Sequence, residues 1–118
     1  MAIIFFCHGA RTDAWREPFE AICEQARREA PDQDISLAFL EYMQPGLPET
    51  IDAAVARGAR RIRVVPLFLA PGSHTGRDLP ELLGKARQRH PDVTIEAGPT
   101  LTESAPIRHA IVQWAMAS

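Results

Sequence analysis

Two cysteines, Cys7 and Cys23, are too few for a disulfide framework, and their spacing fits neither a zinc site nor a C-x-x-C redox pair. No apolar run approaches the roughly 20 residues that a membrane-spanning helix needs. The opening MAIIFFCHGAR lacks a basic leader and breaks at a polar turn, so it reads as a buried strand rather than an export signal. An excess of one charge is missing too: 13 basic residues face 15 acidic ones, net −2, which leaves no basic footprint for nucleic acid. No G-x-x-x-x-G-K-[ST] loop occurs and no G-x-G-x-x-G follows the first strand, so ATP and nucleotide chemistry have no support. These absences point to a soluble protein without nucleic-acid or membrane partners. It is expected in the cytoplasm with reduced thiols, its 118 residues making one domain over 1–118.

What is present is a regular alternation of short apolar runs and amphipathic segments, the pattern of βαβα units. Ala2 to Cys7 is a continuous apolar run of strand length, which predicts a strand buried on both faces and stopped by His8-Gly9. A first helix is expected over about Glu17 to Ala30, with Phe19, Ile22, Cys23 and Ala26 as its apolar stripe. Strand two follows at about Ile35 to Leu40. Helix two carries Leu47, Ile51 and Val55 at helical spacing and ends near Gly58.

Strand three lies within Arg61 to Leu69, with Pro66 marking its end because proline cannot donate to a ladder. Helix three is expected to open at Asp78, with Glu81 three residues on and Leu79, Leu82, Leu83 and Ala86 inward. Val93 to Ala97 makes strand four, and Ser104 to Ala115 a last helix whose Ile107, Ile111 and Trp114 share a face. Right-handed crossovers then give an α/β fold: a four-stranded parallel sheet, probable order 2-1-3-4, between helix layers. Ligands in such sheets bind beyond the carboxyl ends of the strands where the order reverses, here between strands one and three.

Those two strands lead into His8 and His74, which are distant in sequence and brought together by the fold. Two neutral imidazoles among glycines make an open site suited to Co²⁺, Ni²⁺, Fe²⁺ or Zn²⁺, with positions left for water or substrate. Glu41 follows strand two at the same end, as a proton acceptor, a third ligand or a solvated loop carboxylate. Arg11 and Arg77 follow the two histidines and suit a carboxylate-bearing ligand. His90 and His109 are weaker candidates, one at a helix end and one within a helix. Cys7 next to His8 suggests a thiol nucleophile, but neighbours on a strand point to opposite faces, which favours a core thiol. The arginines at 57, 60, 61 and 63 read as solvated surface.

The ordered set His8-Gly9-Ala10-Arg11, Glu17-Pro18-Phe19, Ala38-Phe39-Leu40-Glu41, Met43-Gln44-Pro45, Val64 through Leu69, His74 and Asp78-Leu79-Pro80 resembles the small CbiX-type sirohydrochlorin cobaltochelatases. The likeness covers nearly the whole chain up to about Pro99. It implies a chelatase-like three-layer αβα domain working as a homodimer. The implied activity is ATP-independent insertion of a divalent metal, Co²⁺ foremost, into the tetrapyrrole sirohydrochlorin in cobalamin biosynthesis. It matches His8 and His74 to the two metal-handling histidines of the family, and Glu41 to a family glutamate. Ala10 stands where a serine is usual, and the loop around His74 also departs from the pattern. Nickel or ferrous chelation is the close alternative, and a non-catalytic metal- or tetrapyrrole-binding relative is the alternative of another class.

Overall fold

A computed structural model describes residues 1–72 and 75–117, the side chains of 75–77 excepted. Four strands form one parallel sheet: β1 (Ala2–Cys7), β2 (Asp34–Phe39), β3 (Arg61–Pro66) and β4 (Thr94–Ala97), in the order β2-β1-β3-β4. The expected α/β fold and strand order are both observed. β1 is central, Ala2 standing opposite Asp34 on one side and Ile62 on the other. Pro66 is the last residue of β3, paired with Phe6, and beyond it the Leu67 N–H donates to the Phe6 carbonyl at 2.8 Å. The strand thus ends where its ladder loses a donor.

The helices α1 (Glu17–Glu29), α2 (Leu47–Ala56), α3 (Thr75–Arg89) and α4 (Ala105–Ala117) alternate with the strands. α2 and α3 close one face of the sheet. Ala2, Ile4, Phe6, Ala38, Ile62, Val64 and Ile95 meet Leu47, Ile51, Ala54, Leu83 and Ala86 there in one buried cluster. Gly58, at φ +102°, closes α2 as its position suggests. α1 covers the β2 side of the other face through Cys23, with Phe19 half-buried.

Three local expectations change. α3 begins at Thr75, a turn before Asp78, so Asp78 lies inside the first turn, where a carboxylate favours the helix dipole. Ile22, placed in the inward stripe of α1, is 40% exposed, because α1 rests on β2 and leaves that flank open. On β1, Ile3 and Phe5 are half-buried, so this strand is sealed on one face only.

The cause lies in the position of α4. Ile107, Ile111 and Trp114 do share a face, yet no residue of α4 is buried, and Trp114 is 76% exposed. The preceding segment is held by Leu101 and Thr102 N–H donating to the carbonyls of Phe68 and Leu69, both at 2.9 Å. A short 3-10 turn, Leu101–Glu103, is closed by Thr100, whose N–H and hydroxyl both donate to Glu103 at 3.0 and 2.6 Å. Those bonds hold the Glu103 carboxyl below the usual range. The Arg108 guanidinium donates to the Thr102 carbonyl at 2.9 Å and ties the first turn of α4 to this knot. α4 therefore leaves the sheet in a set direction with its apolar face open.

Candidate functional site

β1 feeds a helix on one face of the sheet and β3 a helix on the other, so the order reverses between them, the place at which open parallel sheets bind ligands. His8 is the first residue past β1. Gly9 follows at φ +96°, and a β-carbon there would lie 1.9 Å from the Glu41 carbonyl oxygen. Only glycine fits that approach. It lets the exits of β1 and β2 stay paired beyond the sheet: Leu40 N–H donates to Cys7 at 2.8 Å and Glu41 N–H to His8 at 3.1 Å.

The side chains follow the backbone. His8 Nε2 lies 3.4 Å from Glu41 Oε1, the two side chains 46% and 39% exposed. Phe68, from the loop after β3, presents its ring edge-to-face to His8 at 6.0 Å and packs on Phe6 at 5.5 Å. Imidazole, carboxylate and aromatic wall thus come from the ends of β1, β2 and β3. Half-exposed donors can bind a cation and release it, and a carboxylate beside an imidazole can take up protons. Among the described residues no three His, Cys, Asp or Glu side chains converge as a closed metal cage.

The other expected residues divide clearly. His74 lies outside the described residues, as does the side chain of Arg77. Arg11 is at the site, its guanidinium 4.8 Å from the centroid of the Tyr42 ring. His90 is elsewhere, its Nε2 2.7 Å from Asp52 Oδ1; Arg89 donates to the same oxygen at 3.2 Å. The His90 hydrogen bond, followed by that from Arg89, holds the Asp52 carboxyl below its ordinary range. His109 lies on the outward α4. Burial pushes the Cys7 thiol up to about 12, which makes it a core group and no nucleophile. Arg57 is exposed, as its reading as solvated surface expects, and donates there to both carboxylate oxygens of Asp34 at 2.8 and 3.0 Å.

Tyr42 was not singled out by the sequence. It is the chain's one tyrosine, sits at φ +69° and is 58% exposed. A left-handed conformation at a residue with a β-carbon costs about 1–2 kcal/mol. An exposed cation–π pair returns roughly 0.5–1 kcal/mol, so stability alone does not account for the arrangement. The loop is fixed around it by buried Met43, by the Phe39 N–H donating to the Pro45 carbonyl at 2.9 Å, and by Arg16, which donates to the Gln44 carbonyl. Beside Glu41 and Tyr42 lies a cleft of about 440 Å³ that also reaches Glu49, Asp78, Glu81 and Lys85.

A family model described as CbiX matches residues 2–116. The chain is 34% identical over 83 residues to the sirohydrochlorin cobaltochelatase of Methanococcus aeolicus, covering 70% of this chain and 58% of that protein. It is 31% identical over 99 residues to the sirohydrochlorin ferrochelatase of Priestia megaterium, covering 82% and 36%. Among solved structures it is similar to a protein of Marinobacter aquaeolei VT8 described as a CbiX protein of cobalamin (vitamin B12) biosynthesis. The TM-score is 0.83 at 28% identity, with 98% of this chain and 93% of that one covered. The chain spans 58% of the length of the first of these curated relatives and 36% of the second.

The contact at Gly9 yields a direct prediction. Gly9→Ala should lower the unfolding free energy by about 1–3 kcal/mol or more, since it meets both a left-handed φ and the Glu41 carbonyl. Urea denaturation measures this, and an unchanged midpoint would contradict the contact.

Proposed function

The chain belongs to the CbiX family, and on that footing we propose that it inserts a divalent metal, Co²⁺ foremost, into sirohydrochlorin on the route to cobalamin, without ATP. Residues 1–118 make one chelatase-like unit, acting in the cytoplasm. The observation that carries the reading is the His8–Glu41 pair at the switch point of the sheet, 3.4 Å apart and open to solvent.

Insertion exchanges one M²⁺ for two pyrrole N–H protons. The metal must be held weakly enough to be handed on, which a pair of imidazoles achieves and a closed four-ligand cage does not. His8 and His74 present the metal as substrate. Glu41 accepts the two pyrrole protons in turn and passes each to water as the ring closes on the ion. Arg11 and Arg77 pair with the carboxylates at the macrocycle's edge, where planar two-pronged donors fit. Iron is the second reading, favoured by the relative named a ferrochelatase. Imidazole ligands do not separate these ions, and intrinsic affinity rises from iron through cobalt to nickel.

The site is also half of what a large planar substrate needs. His8 and Glu41 stand at an open edge, and α4 carries Ile107, Ile111 and Trp114 outward while Ile3, Phe5 and Val65 of the sheet remain half-buried. A second copy supplies both complements: its α4 covers that sheet face, and its own site closes over the macrocycle, with twofold reciprocity. A homodimer is the assembly this requires.

Two experiments test the reading. Purified protein should accelerate the absorbance change of sirohydrochlorin with Co²⁺ over a protein-free control. His8→Ala and His74→Ala should each lower the rate by at least about tenfold, and Glu41→Gln should slow insertion while sparing Co²⁺ binding. No acceleration with cobalt, nickel or ferrous iron would overturn the enzyme and leave a non-catalytic binding protein. Light scattering at about 10 µM should give twice the mass of one chain, falling to one chain in the double variant Ile107→Glu/Ile111→Glu. A wild-type monomer would contradict the pairing, and a variant that stays dimeric would place it on another surface.

A further inference from the structure

We propose that Tyr42, stacked on Arg11, is the platform on which the macrocycle lies while metal is exchanged. The inference deepens the chelatase reading and rests on it. Its chemistry follows from the pair itself: an exposed π surface with a guanidinium over one face complements, through its other face, a flat conjugated ring bordered by carboxylates.

Position supports this. Tyr42 is the residue after Glu41, and Arg11 is three residues after His8, so the platform is built from the same two loops as the reactive pair. Both loops are locked together by the Glu41 N–H bond to the His8 carbonyl and by the approach of Gly9 to Glu41. Buried Met43 on the far side of Tyr42 prevents the loop from relaxing. The turn therefore directs Glu41 toward His8 and leaves Tyr42 at the surface beside it. Glycine or asparagine would take φ +69° with less strain, and the sequence places an aromatic ring there instead.

The guanidinium lies 4.8 Å from the ring centroid, inside the range of a cation–π contact. A guanidinium over a ring face keeps N–H groups for a carboxylate. Tyr42 thus has two functions: its ring supports the plane of the substrate, and it orients Arg11. It takes no part in proton or metal transfer and is a positioning residue.

The test uses metal-free sirohydrochlorin as the probe, titrated into the protein and followed by macrocycle fluorescence, with Co²⁺ binding and thermal stability measured alongside. Tyr42→Asn relieves the turn and removes the ring. It should keep or raise the melting temperature, leave Co²⁺ affinity unchanged and weaken macrocycle binding on the order of tenfold. In turnover the loss should appear in KM for the macrocycle, with kcat changed less than about twofold. Tyr42→Phe should restore wild-type binding. Equal macrocycle affinity in wild type and Tyr42→Asn would overturn the platform and leave the chelatase reading standing. Loss of Co²⁺ affinity in Tyr42→Asn would also overturn it, by assigning Tyr42 to the metal site. A wild-type protein that binds no sirohydrochlorin would overturn both.

Discussion

The carbonyl oxygen of Glu41 occupies the space that a β-carbon on residue 9 would fill, and most of the site's geometry depends on that contact. It allows two strand exits to continue as a paired ribbon past the sheet, through the bonds from Leu40 to Cys7 and from Glu41 to His8. In consequence an imidazole and a carboxylate stand side by side on rigid backbone, the arrangement that the proposed metal insertion calls for. Phe68, packed on Phe6 in the core, completes the wall from the third strand. The position of the reactive groups is thus coupled to the interior packing of β1.

Those parts of the fold governed by hydrophobic run length and alternation were legible in the sequence. AIIFFC has the length and composition of a strand, Pro66 ends β3 by removing a donor, and the parallel order with its reversal beside β1 follows from short right-handed crossovers. The placement of His8 and Glu41 at one end of the sheet came from that topology and needed no side-chain information. Their mutual distance did not, because it depends on a backbone contact between residues 32 positions apart.

What escaped the sequence has a common physical origin. Apolar spacing in α4 identifies a face but not the surface it meets, and a helix patterned to pack against a sheet is instead directed outward by the Thr100–Glu103 knot. Tyr42 in the left-handed region is invisible to propensity, which assigns such turns to glycine or asparagine. The open side of α1 at Ile22 and the half-buried Ile3 and Phe5 belong to the same pattern: one copy of the chain has a complete core on one face of its sheet and an unfinished one on the other.

We propose that the paired exits of β1 and β2 hold His8 as a metal donor in a site open to exchange. X-ray absorption of Co²⁺ bound to the full chain in the absence of tetrapyrrole tests it most directly. Imidazole scattering should be present in the wild type, diminished in His8→Ala and intact in His90→Ala, whose ring belongs to Asp52. Identical cobalt spectra in the wild type and His8→Ala would contradict the account.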